Sequence, residues 1–220
     1  MSLVLLGNSQ AEKDGIKLAH FPTHSSLKQL PLHSIEALNH IIVLPKSNFN
    51  EIEAGKIILR IDQLPQSLLD KVRENGIVIK LFTGKLTENS TARHLAGTVP
   101  RGYEQNITWD DIPGVGGGKT VLVRIGASMK GNGHSSVNLE LHELAHSIDR
   151  HVFGEIRNQE SFLTIWDLEK EKLFPYQKYF LMYPEEYFAE AFAYFYCSDY
   201  YRDILKKYAP LTFDYIQHLK

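Results

Sequence analysis

The sequence holds a single cysteine, Cys197, so no disulfide can form within one chain and packing alone must hold its 220 residues. That count leaves the redox compartment open, because a secreted protein can also do without disulfides. Neither sign of charge dominates. Lys plus Arg number 24 against 26 Asp plus Glu, a net charge of −2, which excludes the basic surface that nucleic acid or an anionic membrane requires. Long apolar runs are missing too: stretches such as Ile41 to Leu44 and Ile77 to Ile79 fall far short of the roughly 20 residues of a membrane span. Leu3 to Leu6 is too short for a signal-peptide core and no basic residue precedes it, so the chain reads either as cytosolic or as starting after its signal. Internal repeats and low-complexity tracts are lacking. What is present, 43% apolar and 23% charged residues, is the make-up of an ordinary globular domain, not of a disordered tail, coiled coil or collagen-like chain.

Along the chain, residues 1–40 are expected to form a loosely ordered segment and a first helix, Ser34 to His40. Residues 41–220 then form one domain, with its sheet in 41–133 and its helices in 134–220. Ile41 to Leu44, stopped by Pro45, reads as a short buried strand. Glu51 to Ile61 and Gln66 to Glu74 carry helical spacing, and Ile77 to Phe82 and Thr120 to Ile125 read as strands. Residues 100–119 are rich in Gly and Pro and read as loop. A helix is expected from about Ser136 to Val152, and the chain beyond Ser161 reads helical with breaks near Pro175, Pro184 and Pro210. Strands first and helices afterwards make an α+β fold, a small mixed sheet followed by a helical half. Gly118-Lys119-Thr120 mimics a phosphate-binding loop, but the required upstream Gly is Pro113 and a strand follows instead of a helix, so no nucleotide site is expected.

The chemistry is concentrated in His142-Glu143-Leu144-Ala145-His146. Positions i and i+4 stack on one helix face, so both imidazoles can reach one metal ion. Val137, Leu141, Leu144, Ala145, Ile148 and Val152 form a neighbouring apolar stripe that would fix the helix in a core. A surface helix with incidental histidines could carry the same pentapeptide, but a catalytic zinc site also needs a third protein ligand and an open position for water. A third His at the metzincin position is excluded, since Asp149 and Val152 stand where Gly and His are required. A downstream helical Glu is the other solution, and Pro184-Glu185-Glu186-Tyr187-Phe188-Ala189-Glu190 opens with the Pro and acids of a helix start. Glu186 is assigned to the metal. Glu190, at i+4 from it, and Asp149 are assigned to orienting the ligand imidazoles.

These segments, Asn138 to Asp149 and Tyr183 to Glu190, together with Lys80 to Thr87, Thr108 to Gly114 and Arg124-Ile125-Gly126, resemble the anthrax lethal factor catalytic domain family. Within it they are most similar to the small secreted Pro-Pro endopeptidases. The resemblance runs from about Ile41 onward. It implies a zincin-like fold of the gluzincin type and a metallopeptidase with one zinc ion held by His142, His146 and Glu186. It further implies Glu143 as general base and Tyr179, seven residues before the Glu ligand, as the oxyanion's helper; spacing alone does not separate Tyr179 from Tyr176 or Tyr183. A basic-Gly-aromatic segment lining the cleft corresponds to Arg101-Gly102-Tyr103, with Arg and Tyr where Lys and Trp are usual. Gly117 and Lys119 of the glycine-rich loop, which departs from the family, and Glu185, as a partner for Arg101, complete the expected substrate-binding set. Strand Thr120 to Gly126 is the expected partner of an extended substrate.

The resemblance implies a secreted monomer that cuts Pro-Pro bonds in proline-rich surface proteins, with no nucleic-acid partner and no membrane insertion. Two other readings stay open at this point. One is a peptidase of the same fold acting on a different substrate in the cytoplasm. The other is a zinc-stabilised binding module without activity, against which the intact Glu143 argues, since a structural site needs no base.

Overall fold

The computed structural model describes residues 15–102 and 106–219. Its sheet has five strands, β1 (Ile16–Lys17), β2 (Ile42–Leu44), β3 (Val78–Phe82), β4 (Gly114–Val115) and β5 (Thr120–Arg124), in the order β1-β2-β3-β5-β4. The three central strands run parallel, and β1 and β4 join antiparallel at the two edges. Parallel strands are covered on both faces, which is why they are the continuous apolar runs: Ile42, Leu44, Ile79, Leu81, Val121 and Val123 are all buried. Helix α1 (Ile35–Ile41) leads into β2, and α2 (Glu51–Ile61) and α3 (Gln66–Glu74) make the crossover to β3. The Asn50 side chain caps α2 by accepting the Glu53 N–H, and Ala54, Ile57, Ile58 and Ile61 turn inward.

The helical half comprises α4 (Leu139–His151), α5 (Glu160–Leu173), α6 (Lys178–Met182), α7 (Pro184–Cys197), α8 (Asp199–Tyr208) and α9 (Pro210–Gln217). The expected α+β division between sheet and helices is present. Pro184 and Pro210 occupy first-turn positions, where a missing N–H costs nothing. One break lay outside the expected set: α7 stops at Cys197, and Ser198 caps α8 by accepting the Tyr201 N–H. The proline signal was absent there and the Ser-Asp cap signal decided the boundary. Phe162, Phe174, Tyr187, Phe188 and Phe192 form an aromatic core behind α7. The buried Glu169 carboxylate accepts the Leu211 and Thr212 N–H groups and so caps α9 from α5. No helix among the described residues is long and apolar enough to cross a membrane.

A second difference bears on the cleft. Within 100–119, expected to be loop throughout, Gly114 pairs with Val123 and Val115 with Leu122, and the Pro113 carbonyl accepts the Arg124 N–H at 2.7 Å. Strand β5 therefore lies between β3 and β4, and its main chain there is already used. The sheet edge beside the site is β4, so β5, expected to pair with a substrate, has that edge already occupied. A Gly-Val pair has no alternation to betray it as a strand; only the neighbour that pairs with it makes it one.

Candidate active site

Helix α4 is placed before any metal is considered. The Asn138 side chain accepts the Leu141 N–H at 3.0 Å, and Asn138 itself bridges to Met129, so the helix starts at Leu139 and not at Ser136. Leu141, Leu144, Ala145 and Ile148 are buried in the main core. Glu140, fully buried, is ion-paired to Arg60 of α2. Helix α7 packs along α4 and covers its polar side, so His142, Glu186 and Glu190 are buried too.

Three ligand-type atoms converge where the helices meet. His142 Nε2 and His146 Nε2 lie 3.2 Å apart, and Glu186 Oε2 lies 3.3 Å from each. At bond lengths of 2.0–2.1 Å, a tetrahedral zinc ion separates its ligands by about 3.3 Å, so the triangle fits that ion. The donor set agrees, two imidazole nitrogens and one carboxylate oxygen. Glu190 orients the ring: its Oε2 lies 3.0 Å from His142 Nδ1, placed to accept the Nδ1–H so that in the neutral, metal-ligating ring the Nε2 lone pair faces the triangle, while its Oε1 accepts the Val137 N–H at 2.9 Å.

The other Glu186 oxygen faces a second group. Oε1 accepts the Tyr179 hydroxyl at 2.9 Å and lies 3.3 Å from Arg101 Nη2. Arg101 also donates to Glu185 at 2.8 Å and stacks 3.9 Å over the Tyr183 ring. Gly102, with φ +83°, brings its backbone against the Tyr179 ring, where an added Cβ would stand 2.9 Å from Cε2. Tyr179 is delivered by α6 after a turn in which Tyr176 adopts φ +66°, a left-handed conformation that reverses the chain after α5.

Charges follow from these contacts. Burial opposes a charge on His142, but the Glu186 and Glu190 carboxylates outweigh it and hold the imidazole well above its usual value. Burial would raise Glu186, yet hydrogen bonds from both imidazoles hold it far below the carboxylate range. Glu143 is raised, by burial first and then by the Glu186 charge, against the pull of both histidines and the Gly116 N–H. Burial and the Glu186 carboxylate push the Tyr179 hydroxyl up, so it remains a proton donor at neutral pH.

Glu143, the triangle and Tyr179 line a cleft of about 620 Å³ bounded by Gly114–Gly118. Gly116 is a contributor that the residue pattern did not single out. It lies so close to α4 that a Cβ there would fall 1.9 Å from the Glu143 carbonyl oxygen. Its φ is not positive, so no turn rule marks it; only the close approach requires glycine. Gly117 also lines the cleft and donates to the Ser147 hydroxyl at 3.0 Å. Arg150 and Arg157 likewise line the cleft without a motif to announce them. Lys119 is tied elsewhere, its Nζ donating to the Asn75 carbonyl at the end of α3. The Asp149 carboxylate is held by the Arg157 main chain and guanidinium, not by a ligand imidazole. Tyr103 lies outside the described residues.

Comparison with known proteins agrees with this arrangement. A family model described as anthrax toxin lethal factor, N- and C-terminal domain, matches residues 31–219. A Pro-Pro endopeptidase of Paenibacillus alvei is 40% identical over 192 residues, covering 86% of this chain and 88% of that protein. A Pro-Pro endopeptidase of Clostridioides difficile is 40% identical over 185 residues, covering 84% and 83% respectively. The solved structure of a Pro-Pro endopeptidase from Paenibacillus alvei superimposes with a TM-score of 0.78 at 38% identity, covering 89% of this chain and all of that one.

Proposed function

The chain belongs to the anthrax toxin lethal factor family and is a metalloendopeptidase; from that premise we propose that it hydrolyses Pro-Pro bonds in proline-rich proteins. The reading takes residues 41–220 as the catalytic domain of a secreted monomer that binds one zinc ion. The observation that carries the mechanism is the placement of Glu143 in a cleft beside a converging His-His-Glu triangle, with a sheet edge along its wall.

His142, His146 and Glu186 hold the metal. When bound there, zinc supplies Lewis-acid activation of a water molecule and of the scissile carbonyl. Glu143, buried beside the triangle, takes the proton from the attacking water and later passes it to the leaving nitrogen. The Tyr179 hydroxyl, kept protonated, turns from Glu186 to donate to the developing oxyanion. Glu190 holds His142 in one tautomer throughout.

A Pro-Pro substrate has no amide hydrogen at either residue and φ near −65°, so it cannot form a full main-chain ladder with β4. It can accept hydrogen bonds from the wall and requires apolar surface for its rings. Tyr103 is assigned to that surface, with Gly102 beside it against Tyr179 and Arg101 holding the loop through its pair with Glu185. Peptides with every residue pair at a central bond, digested and read by mass spectrometry, test the reading. Strong cleavage of Pro-Pro with little of Ala-Ala or Leu-Leu is expected. Cutting of ordinary bonds with Pro-Pro ignored would refute the substrate assignment, and a Glu143→Ala enzyme as active as the parent would refute the mechanism.

A further inference from the structure

Helix α4 does not leave the cleft at His146. His142, His146 and Arg150 follow one another at four-residue steps, each turned by only about 40° from the last, so Arg150 continues the side of the helix that carries the imidazoles. Its side chain is 56% exposed and lines the same cleft. Among the described residues its guanidinium has only distant partners, the Gly117 carbonyl at 3.5 Å and Glu155 at 3.9 Å. Arg157 stands on the same wall, 25% exposed, with its charge shared with the buried Asp149. Burial depresses the nearby His151 imidazole, and the charges of Lys119, Arg150 and Arg157 depress it further.

We propose that Arg150, backed by Arg157, forms a cationic subsite that receives an acidic side chain of the substrate about two residues from the cleaved bond. This rests on the endopeptidase reading above and adds a preference to it. The distance follows from geometry: four helical residues span about 6 Å and an extended substrate advances about 3.3 Å per residue. Neither the triangle nor Glu143 uses Arg150, and its weak contacts leave the guanidinium free to exchange a carbonyl for a carboxylate, with which it can pair in two places.

The test uses the zinc-loaded enzyme and Pro-Pro peptides in a neutral frame, with Asp, Asn and Lys scanned through three positions on each side of the bond. At one position two or three residues from the bond, Asp is expected to exceed Asn roughly two- to fivefold in kcat/KM, the range of an exposed ion pair, mainly through KM. The ratio should shrink in about 0.5 M salt. Arg150→Gln brings it to one, Arg150→Lys keeps part of it, and Arg150→Glu makes Lys the preferred residue. If neutral Pro-Pro peptides are cut but no position favours Asp, or if the ratio survives Arg150→Gln, the subsite is overturned while the endopeptidase reading stands. If no Pro-Pro peptide is cut at all, the substrate reading falls and the proposal falls with it.

Discussion

Replacing Glu190 by Gln changes one oxygen to an amide nitrogen at nearly constant volume, and the structure makes that change costly. Two donors face the carboxylate, the Val137 N–H at 2.9 Å from Oε1 and the His142 Nδ1–H at 3.0 Å from Oε2. A carboxylate serves both. An amide has one acceptor oxygen, so one donor must meet an NH₂ group, and Glu190 is only 2% exposed, leaving no water to take over. If Val137 loses its partner, the entry to α4 is left with a buried unpaired N–H, a cost of about 1–3 kcal/mol in unfolding free energy. If His142 loses its partner, the ring can turn or change tautomer, and loss of such an orienting group lowers metal affinity roughly 10- to 100-fold. Zinc competition against a chromophoric chelator and urea unfolding of the metal-free protein measure the two costs separately. The amide can point its oxygen only one way, so at least one cost must appear. A Glu190→Gln protein that binds zinc and unfolds as the parent does would refute the reasoning.

Glu186→Ala should lose zinc affinity sharply whereas Glu185→Ala keeps the metal, because only Glu186 joins the triangle and Glu185 pairs with Arg101; metal analysis after gel filtration distinguishes them. Gly116→Ala drives a methyl group into the Glu143 main chain, and overpacking of this kind costs about 1–3 kcal/mol. Its thermal midpoint should fall, and kcat should fall with it as Glu143 is displaced. A pH effect is expected at His134, whose imidazole is held below its usual value by burial, against the pull of its bond to the Ala127 carbonyl. The unfolded chain then takes up a proton near pH 6.5 that the folded chain refuses, so this group's contribution to stability is lost as pH falls below that value. Urea midpoints at pH 7 and pH 5.5 should therefore differ less in His134→Asn than in the parent.

The residue order alone determined the elements whose own pattern was strong. The apolar runs of β2, β3 and β5, the spacing of α2 and α3, and the prolines opening α7 and α9 each carry a local physical cause, burial on both faces or a missing N–H, that a neighbour need not supply. The His142–His146 pair and the face shared by Glu186 and Glu190 were legible for the same reason, since helical pitch places residues four apart together wherever the helix lies. Tertiary structure decided what no pitch can. Asp149 and Glu190 both looked suited to orient an imidazole, and the packing of α7 on α4 gave His142 to Glu190, while the turn after α4 gave Asp149 to Arg157. Gly114–Val115 became the sheet edge, and Gly116 a necessary glycine, through contacts with β5 and Glu143 that are distant in sequence. Lys119, from the same loop, was drawn to the end of α3 by a carbonyl 44 positions away. A local pattern sets which face a side chain takes on its own element; what meets that face depends on chain crossings that the pattern does not encode.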